Sequence, residues 1–323
     1  RERIGEVVHH LARALCLEAL DQPHRALARA GLDALTAGDT DAERDVKKLG
    51  FGFWLAVGWL VLLITLAVLA PVLPFIDDPN LSQADALEAS PSAEHWFGGD
   101  DIGRDVFSRV IWGARVSLFI GVAAVTFGFV IGGTLGLTAG FFQGRYERVV
   151  IGAMDIMLAF PALVLALALV TFLSEPGTQN ATVGTVTLVL TILAVPALAR
   201  ITRAATLTFA QREFVTASRA LGARNSRIIA REILPNVLPP MAAFALIAIA
   251  IVIVAEGALS FLGLSVASPT ATWGNLIEQG RNSLDDTPWI SLFPCGVMFL
   301  TLLSFNYVGD QLRRYFDVKE INV

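Results

Sequence analysis

Long charge-free apolar runs alternate with short basic segments along most of the chain. Lys48 and Asp77 bracket the first run, centred on Trp54 to Ala70, and Val116 to Gly144 makes the second. Further runs extend from about Val149 to Ser174, Ala181 to Ala199, Ile233 to Ala255 and Trp289 to Val308. A bilayer core takes about 20 apolar residues of helix, and lipid offers no partner to an unpaired backbone group, so each run predicts a transmembrane helix. The expected fold class is all-α: a polytopic membrane protein with six transmembrane helices. Leu259 to Val266 is also apolar, but it is short and soon followed by Pro269. It predicts a re-entrant or interfacial element, not a seventh span.

Composition agrees with this pattern. Hydrophobic residues make up 54% of the 323 and charged residues only 16%, with a mean hydropathy of +0.62, whereas soluble domains are about a quarter charged. Cys16 and Cys295 are the only cysteines, one in a polar region and one in an apolar run, so no disulfide framework is expected. Residues 1–48 are charged and lack a continuous apolar core, which argues against a cleavable signal peptide there.

Six spans put both termini on one side, and the basic residues choose the side. Arg44, Lys47 and Lys48 precede the first run, Arg145 and Arg148 follow the second, Arg200 to Arg231 follow the fourth, and Arg313, Arg314 and Lys319 follow the sixth. The other side holds only Arg104, Arg109, Arg115 and Arg281. The positive-inside rule then predicts cytoplasmic termini, with the cluster from Arg104 to Arg115 standing against it.

Several intramembrane positions carry packing or chemical signals. Gly128, Gly132, Gly136 and Gly140 recur every four residues, which places them on one helix face for close helix packing. Pro161 and Pro196 remove backbone donors and should bend or break their helices. Asp155 and Glu256 are the only candidate coupling carboxylates; both lie near span ends, where water or an arginine can reach them, and both are expected to be structural. His95, Asp100, Asp101 and Asp105 include metal-ligand types, but carboxylates capping a short helix between glycine turns explain them better.

The polar stretch between the fourth and fifth runs, TFAQREFVTASRALGARNSRIIAREILPNVLPP, carries most of the functional argument. Phe214, Ala217 (with Ser218) and Leu221 make one apolar stripe on a short helix. Gly222 fits a left-handed C-cap, and Asn225 and Ser226 can cap a second helix leading to Leu234-Pro235. An interfacial helix resting on anionic lipid would look alike by charge and pattern.

This stretch resembles the EAA loop of ABC importer permeases. Thr216-Ala217-Ser218 stand at the Glu-Ala-Ala positions, Gly222 at the glycine and Leu234-Pro235 at the ending, with Thr216, Ser218 and Glu232 departing from the general pattern. Arg219-Ala220-Leu221-Gly222 and Ile233-Leu234-Pro235-Asn236 resemble the peptide-transporter branch. So do His95-Trp96-Phe97-Gly98, Gly103-Arg104-Asp105-Val106, Gly113-Ala114-Arg115-Val116-Ser117-Leu118, Leu259-Ser260-Phe261-Leu262-Gly263-Leu264, Trp273-Gly274-Asn275 and Phe305-Asn306-Tyr307-Val308-Gly309-Asp310, which are similar to C-type subunits of dipeptide and oligopeptide importers. The match covers about residues 50–317.

The resemblance implies a type I ABC importer permease fold in the bacterial plasma (inner) membrane. It implies a sister permease, two cytoplasmic ATPase domains, an extracytoplasmic peptide-binding protein and alternating access, with membrane lipid around the spans. Thr216, Ala217, Ser218, Arg219 and Gly222, with Leu234 and Pro235, would then form the element that couples to the ATPase. Related permeases carry nickel or other small solutes. The expected organisation is a cytoplasmic extension at 1–48 with amphipathic helices, a first span and extracytoplasmic segment at 49–112, a transmembrane type-1 domain at 113–310 containing the coupling loop 208–236, and a cytoplasmic tail at 311–323.

The sequence also excludes some classes. Its only lysines are Lys47, Lys48 and Lys319, and none follows a Gly-rich loop, so this chain holds no P-loop, hydrolyses no ATP and needs no cofactor; ATP and Mg would sit on the partner ATPases. No enzyme activity and no nucleic-acid partner are expected. The rival class is a secondary transporter using Asp155 or Glu256, which would need internal repeats or an ion site.

Overall fold

The computed structural model describes residues 50–174 and 181–321, and Phe51–Asp317 form one compact unit. The helices expected within residues 1–48, and Cys16, lie outside the described residues. Among the described residues there are helices and isolated bridges but no strand.

Helix α1 is Phe51–Leu69. It buries one stripe, Phe53, Ala56, Leu60, Leu63 and Ala67, at alternating steps of three and four. Trp54, Leu55, Val61 and Leu62 point outward, an apolar exterior that suits lipid rather than water.

Helix α2, Val106–Phe142, begins ten residues before the expected second run. Asp105 starts it by accepting the backbone N–H of Ser108 at 2.7 Å. Arg109, one of the arginines that stood against the charge rule, is fully buried: its guanidinium donates to Gln279 Oε1 at 3.3 Å and Pro79 O at 3.4 Å, and lies 3.9 Å from Asp100. Asp100 also receives Arg104 Nε at 2.6 Å and the backbone N–H groups of Ile102 and Arg104. Two of the arginines that break the charge rule are therefore internal ties, and Asp100 and Asp105 act as turn and cap residues.

The third expected span is not one helix. Helices α3, Gly144–Ala159, and α4, Ala162–Leu173, meet at Phe160-Pro161 with a bend of 93°. A proline lacks the N–H the ladder needs and its ring clashes with the preceding turn. Helix α5, Val183–Ala210, by contrast, runs through Pro196 without interruption.

The remaining elements are α6, Glu213–Ala220, α7, Asn225–Phe261, α8, Trp273–Gln279, and α9, Trp289–Ile321. Among the described residues, five helices are thus long and apolar enough to cross a membrane, and the bent pair α3–α4 makes a sixth crossing if it counts as one span. The expected element at Leu259 to Val266 is corrected: its first residues are the last turn of α7. Gly263, at φ +71°, donates to Ser260 O at 2.9 Å and Leu264 N–H to Leu259 O at 3.0 Å, a Schellman ending that turns the chain back toward α8. The expected divisions at 112/113 and 310/311 fall inside α2 and α9, so neither is a break in the fold.

The glycine stripe of α2 lies directly on α5. A Cβ on Gly132 would stand 2.5 Å from Val195 O, one on Gly140 would stand 2.9 Å from Arg203 O, and one on Gly136 would strike Ala199 O. Gly128 faces Ala194 and Leu198. The two backbones touch at Gly132, Gly136 and Gly140, where only glycine leaves room. Arg203 extends the join by donating to Glu147 Oε1 of α3 at 2.6 Å.

Candidate coupling surface

Helix α6 has eight residues and two unlike faces. One is an anchor: Val215 is completely buried and belongs to a cluster with Leu137 and Phe141 of α2, Phe209 and Ala210 of α5, and Ile228, Ile233, Val237 and Met241 of α7. The opposite stripe is open. Phe214 is 38% exposed and Leu221 88% exposed, and Ala217 between them is exposed too. The apolar residues singled out in the sequence therefore face away from the protein, while the residue that fixes the helix, Val215, was not among them. Its signal was there: a lone β-branched residue on the side opposite the stripe.

The ends of α6 are closed locally. Gly222, at φ +77°, donates to Arg219 O at 2.9 Å and Ala223 donates to Ser218 O at 3.1 Å. This is again a Schellman motif, and a Cβ on Gly222 would meet no atom within 4 Å, so backbone conformation alone selects glycine here. Arg219 is exposed, and its guanidinium lies 5.2 Å from the ring centre of Phe141. Thr216 is exposed and Ser218 half-buried.

Contrary to expectation, no side chain caps the next helix. Arg224 occupies the N-cap and Asn225 is already helical. Helix α7 then passes through a π-helical turn, Ile229–Ile233, before Leu234 and Pro235 begin its regular run. Such turns insert an extra residue and often occur at functional sites. Both turn ends are pinned, because Ile228 and Ile233 are fully buried in the Val215 cluster. Leu234 and Pro235 themselves are exposed and follow the pinned turn; they are not on α6.

The two carboxylates differ. Asp155 is half-exposed and pairs with Arg200 Nε at 3.4 Å, a contact of a kind that contributes about 0–1 kcal/mol. Glu256 is 1% exposed, against the expectation that water or an arginine reaches it. Its Oε1 accepts from Ser265 Oγ at 2.8 Å, Thr272 Oγ1 at 3.0 Å and Ser260 Oγ at 3.2 Å. The chain that folds back after Gly263 supplies two of these donors and covers the carboxyl, so Glu256 ties the return loop and α8 to α7. Trp273 continues the tie, donating its backbone N–H to Ser117 Oγ and its indole N–H to Val110 O of α2, both at 3.1 Å.

Residues 132–320 match a family described as binding-protein-dependent transport system inner membrane component. A dipeptide transport system permease protein, DppC, from Alkalihalophilus pseudofirmus is 39% identical over 79% of this chain and 82% of its own length. A glutathione transport system permease protein, GsiD, from Pectobacterium atrosepticum is 36% identical over 81% and 85% respectively. In three dimensions, a chain from an inward-facing structure of the MetNI methionine ABC transporter superposes with a TM-score of 0.55, at 20% identity, over 64% of this chain and 96% of that one.

Proposed function

Since the chain belongs to the family of binding-protein-dependent transport system inner membrane components, and is a multi-pass permease of an ABC importer, we propose that its cargo is a di- or oligopeptide, glutathione included, delivered by an extracytoplasmic binding protein. A sister permease of similar fold pairs with it, and the cargo passes between the two by alternating access. The likeness to the dipeptide and glutathione permeases supports this cargo class. Both termini lie in the cytoplasm, following the distribution of arginine and lysine.

The observation that carries the mechanism is the two-faced α6. Its exposed Phe214–Ala217–Leu221 stripe is the docking ridge for a cytoplasmic ATPase, and Val215 is the root that passes the ATPase's movement into α2, α5 and α7. Thr216, Ser218 and Arg219 surround the ridge, Gly222 lets the chain turn away from it, and Leu234 and Pro235 receive the movement at the foot of α7. ATP and Mg bind to the partner ATPases, and this chain, lacking a P-loop, hydrolyses none. Residues 1–48 are a cytoplasmic extension of the transporting chain.

Purification of the tagged chain from its own membrane in mild detergent, with companions identified by mass spectrometry, tests the assembly. Recovery of an ATPase and a second permease is the expected result; a chain that emerges alone overturns it. Gly222→Asp tests the coupling loop: uptake should vanish while membrane insertion persists, and unchanged uptake would sink the assignment.

A further inference from the structure

Arg115 stands apart from the other arginines at its end of α2. Arg104 and Arg109 are buried and tied to Asp100 and Gln279, whereas Arg115 is exposed and pairs with no carboxylate among the described residues. It is nonetheless held in place. Its guanidinium lies 5.6 Å from the ring centre of Trp112, and Trp112 is fixed by an indole N–H donated to Asp77 O at 3.2 Å.

Arg115 lines a cavity of about 420 Å³ together with the polar Asn80 and Thr270 and the apolar Val116, Phe119 and Val183. From Phe119 at its wall, Val122, Thr126 and Val130 continue along α2 at helical spacing, and all are exposed. The result is a cation beside a cavity whose lining continues into an exposed, largely apolar face of α2.

Depth selects the occupant. Arg115 lies 27 residues (142 minus 115) from the end of α2 at Phe142, which is about 40 Å at 1.5 Å per residue. A bilayer with its headgroups is about 40–45 Å thick, so with Phe142 at the cytoplasmic surface Arg115 sits at the level of the outer phosphates and Phe119 a turn deeper. A guanidinium held outward at that level meets the layer of lipid phosphates, an anion that its planar fork binds in a bidentate pair.

We propose that this groove is a phospholipid site: Arg115 takes the phosphate of an outer-leaflet lipid, Asn80 and Thr270 flank the headgroup, and Phe119, Val122 and Val130 guide one acyl chain. The site rests on the orientation given under the proposed function. A single cysteine at Ile102, in a background lacking Cys16 and Cys295, checks that orientation separately by its labelling from outside with an impermeant maleimide.

The test is native mass spectrometry of the purified assembly supplied with phosphatidylglycerol. The wild type should retain bound lipid. Arg115→Gln should lose it at least fivefold, and Arg281→Gln, another exposed arginine away from the cavity, should not. Equal retention in wild type and Arg115→Gln overturns the proposal. So does displacement of the lipid by millimolar dipeptide, which would make the groove a cargo site. Cross-linking of a cysteine at Phe119 to another protein chain overturns it as well, by giving the groove to a subunit contact.

Discussion

The guanidinium of Arg219 lies 5.2 Å from the ring centre of Phe141, so α6 and the last turn of α2 are joined by a cation–π contact as well as by the Val215 core. An exposed contact of this type contributes about 0.5–1 kcal/mol. Arg219→Gln should therefore leave the chain folded but loosen the join. Solute imported per ATP hydrolysed should fall several-fold in proteoliposomes, and an unchanged ratio would remove Arg219 from the transmission path.

Leu221 is far more exposed than Phe214, and no internal contact is lost when it changes. Leu221→Glu should leave expression and melting temperature within error of the wild type. Recovery of the ATPase with the tagged permease should drop at least tenfold, equivalent to about 1.4 kcal/mol of binding. Full recovery would mean that the ridge docks nothing.

The glycine seam makes a sharp contrast available. Gly136→Val places a side chain against the backbone of Ala199 and should abolish accumulation of folded protein, because neither backbone can yield. Gly152, on α3, has no atom within 4 Å of a built Cβ, so Gly152→Val should be tolerated. Fluorescence-detected size-exclusion chromatography of both variants decides it; a monodisperse Gly136→Val peak would refute the seam.

Glu256 should be worth more as an acceptor than as a charge. Glu256→Gln keeps an Oε1 for Ser260, Ser265 and Thr272, whereas Glu256→Ala strands three buried hydroxyls, at about 1–3 kcal/mol for each donor left without any partner. Thermal melting in detergent should rank wild type and glutamine above alanine. If alanine melts with the wild type, the tie between the return loop and α7 is not a stabilising one.

The spans were legible because lipid allows few alternatives to a long apolar helix, and the two-helix form of the α6 region was legible from Gly222. What escaped the sequence depended on distant partners. Arg109 reads as one more charge against the positive-inside rule until Asp100 and Gln279, the latter 170 residues away, are seen to accept it. Glu256 reads as a residue near a span end until Ser265 and Thr272 fold back over it. Pro161 and Pro196 look alike in sequence, yet only Pro161 breaks its helix. Val215 was hidden by its own minority on a helix whose more numerous apolar residues face outward.

At 37 residues, α2 is about 55 Å long, and its seam with α5 has a mechanical meaning. Helices joined through side chains can creep past one another as rotamers change, but here each backbone sits in the notches of its neighbour. Sliding would require lifting Gly132, Gly136 and Gly140 off the carbonyls of α5 together, so this stretch of the pair is stiff, with α6 keyed into its foot. Under the proposed coupling, a push at Leu221 would reach the far end as a swing, enlarged by the length of the pair, and Arg109, donating to Gln279, would draw α8 along with it.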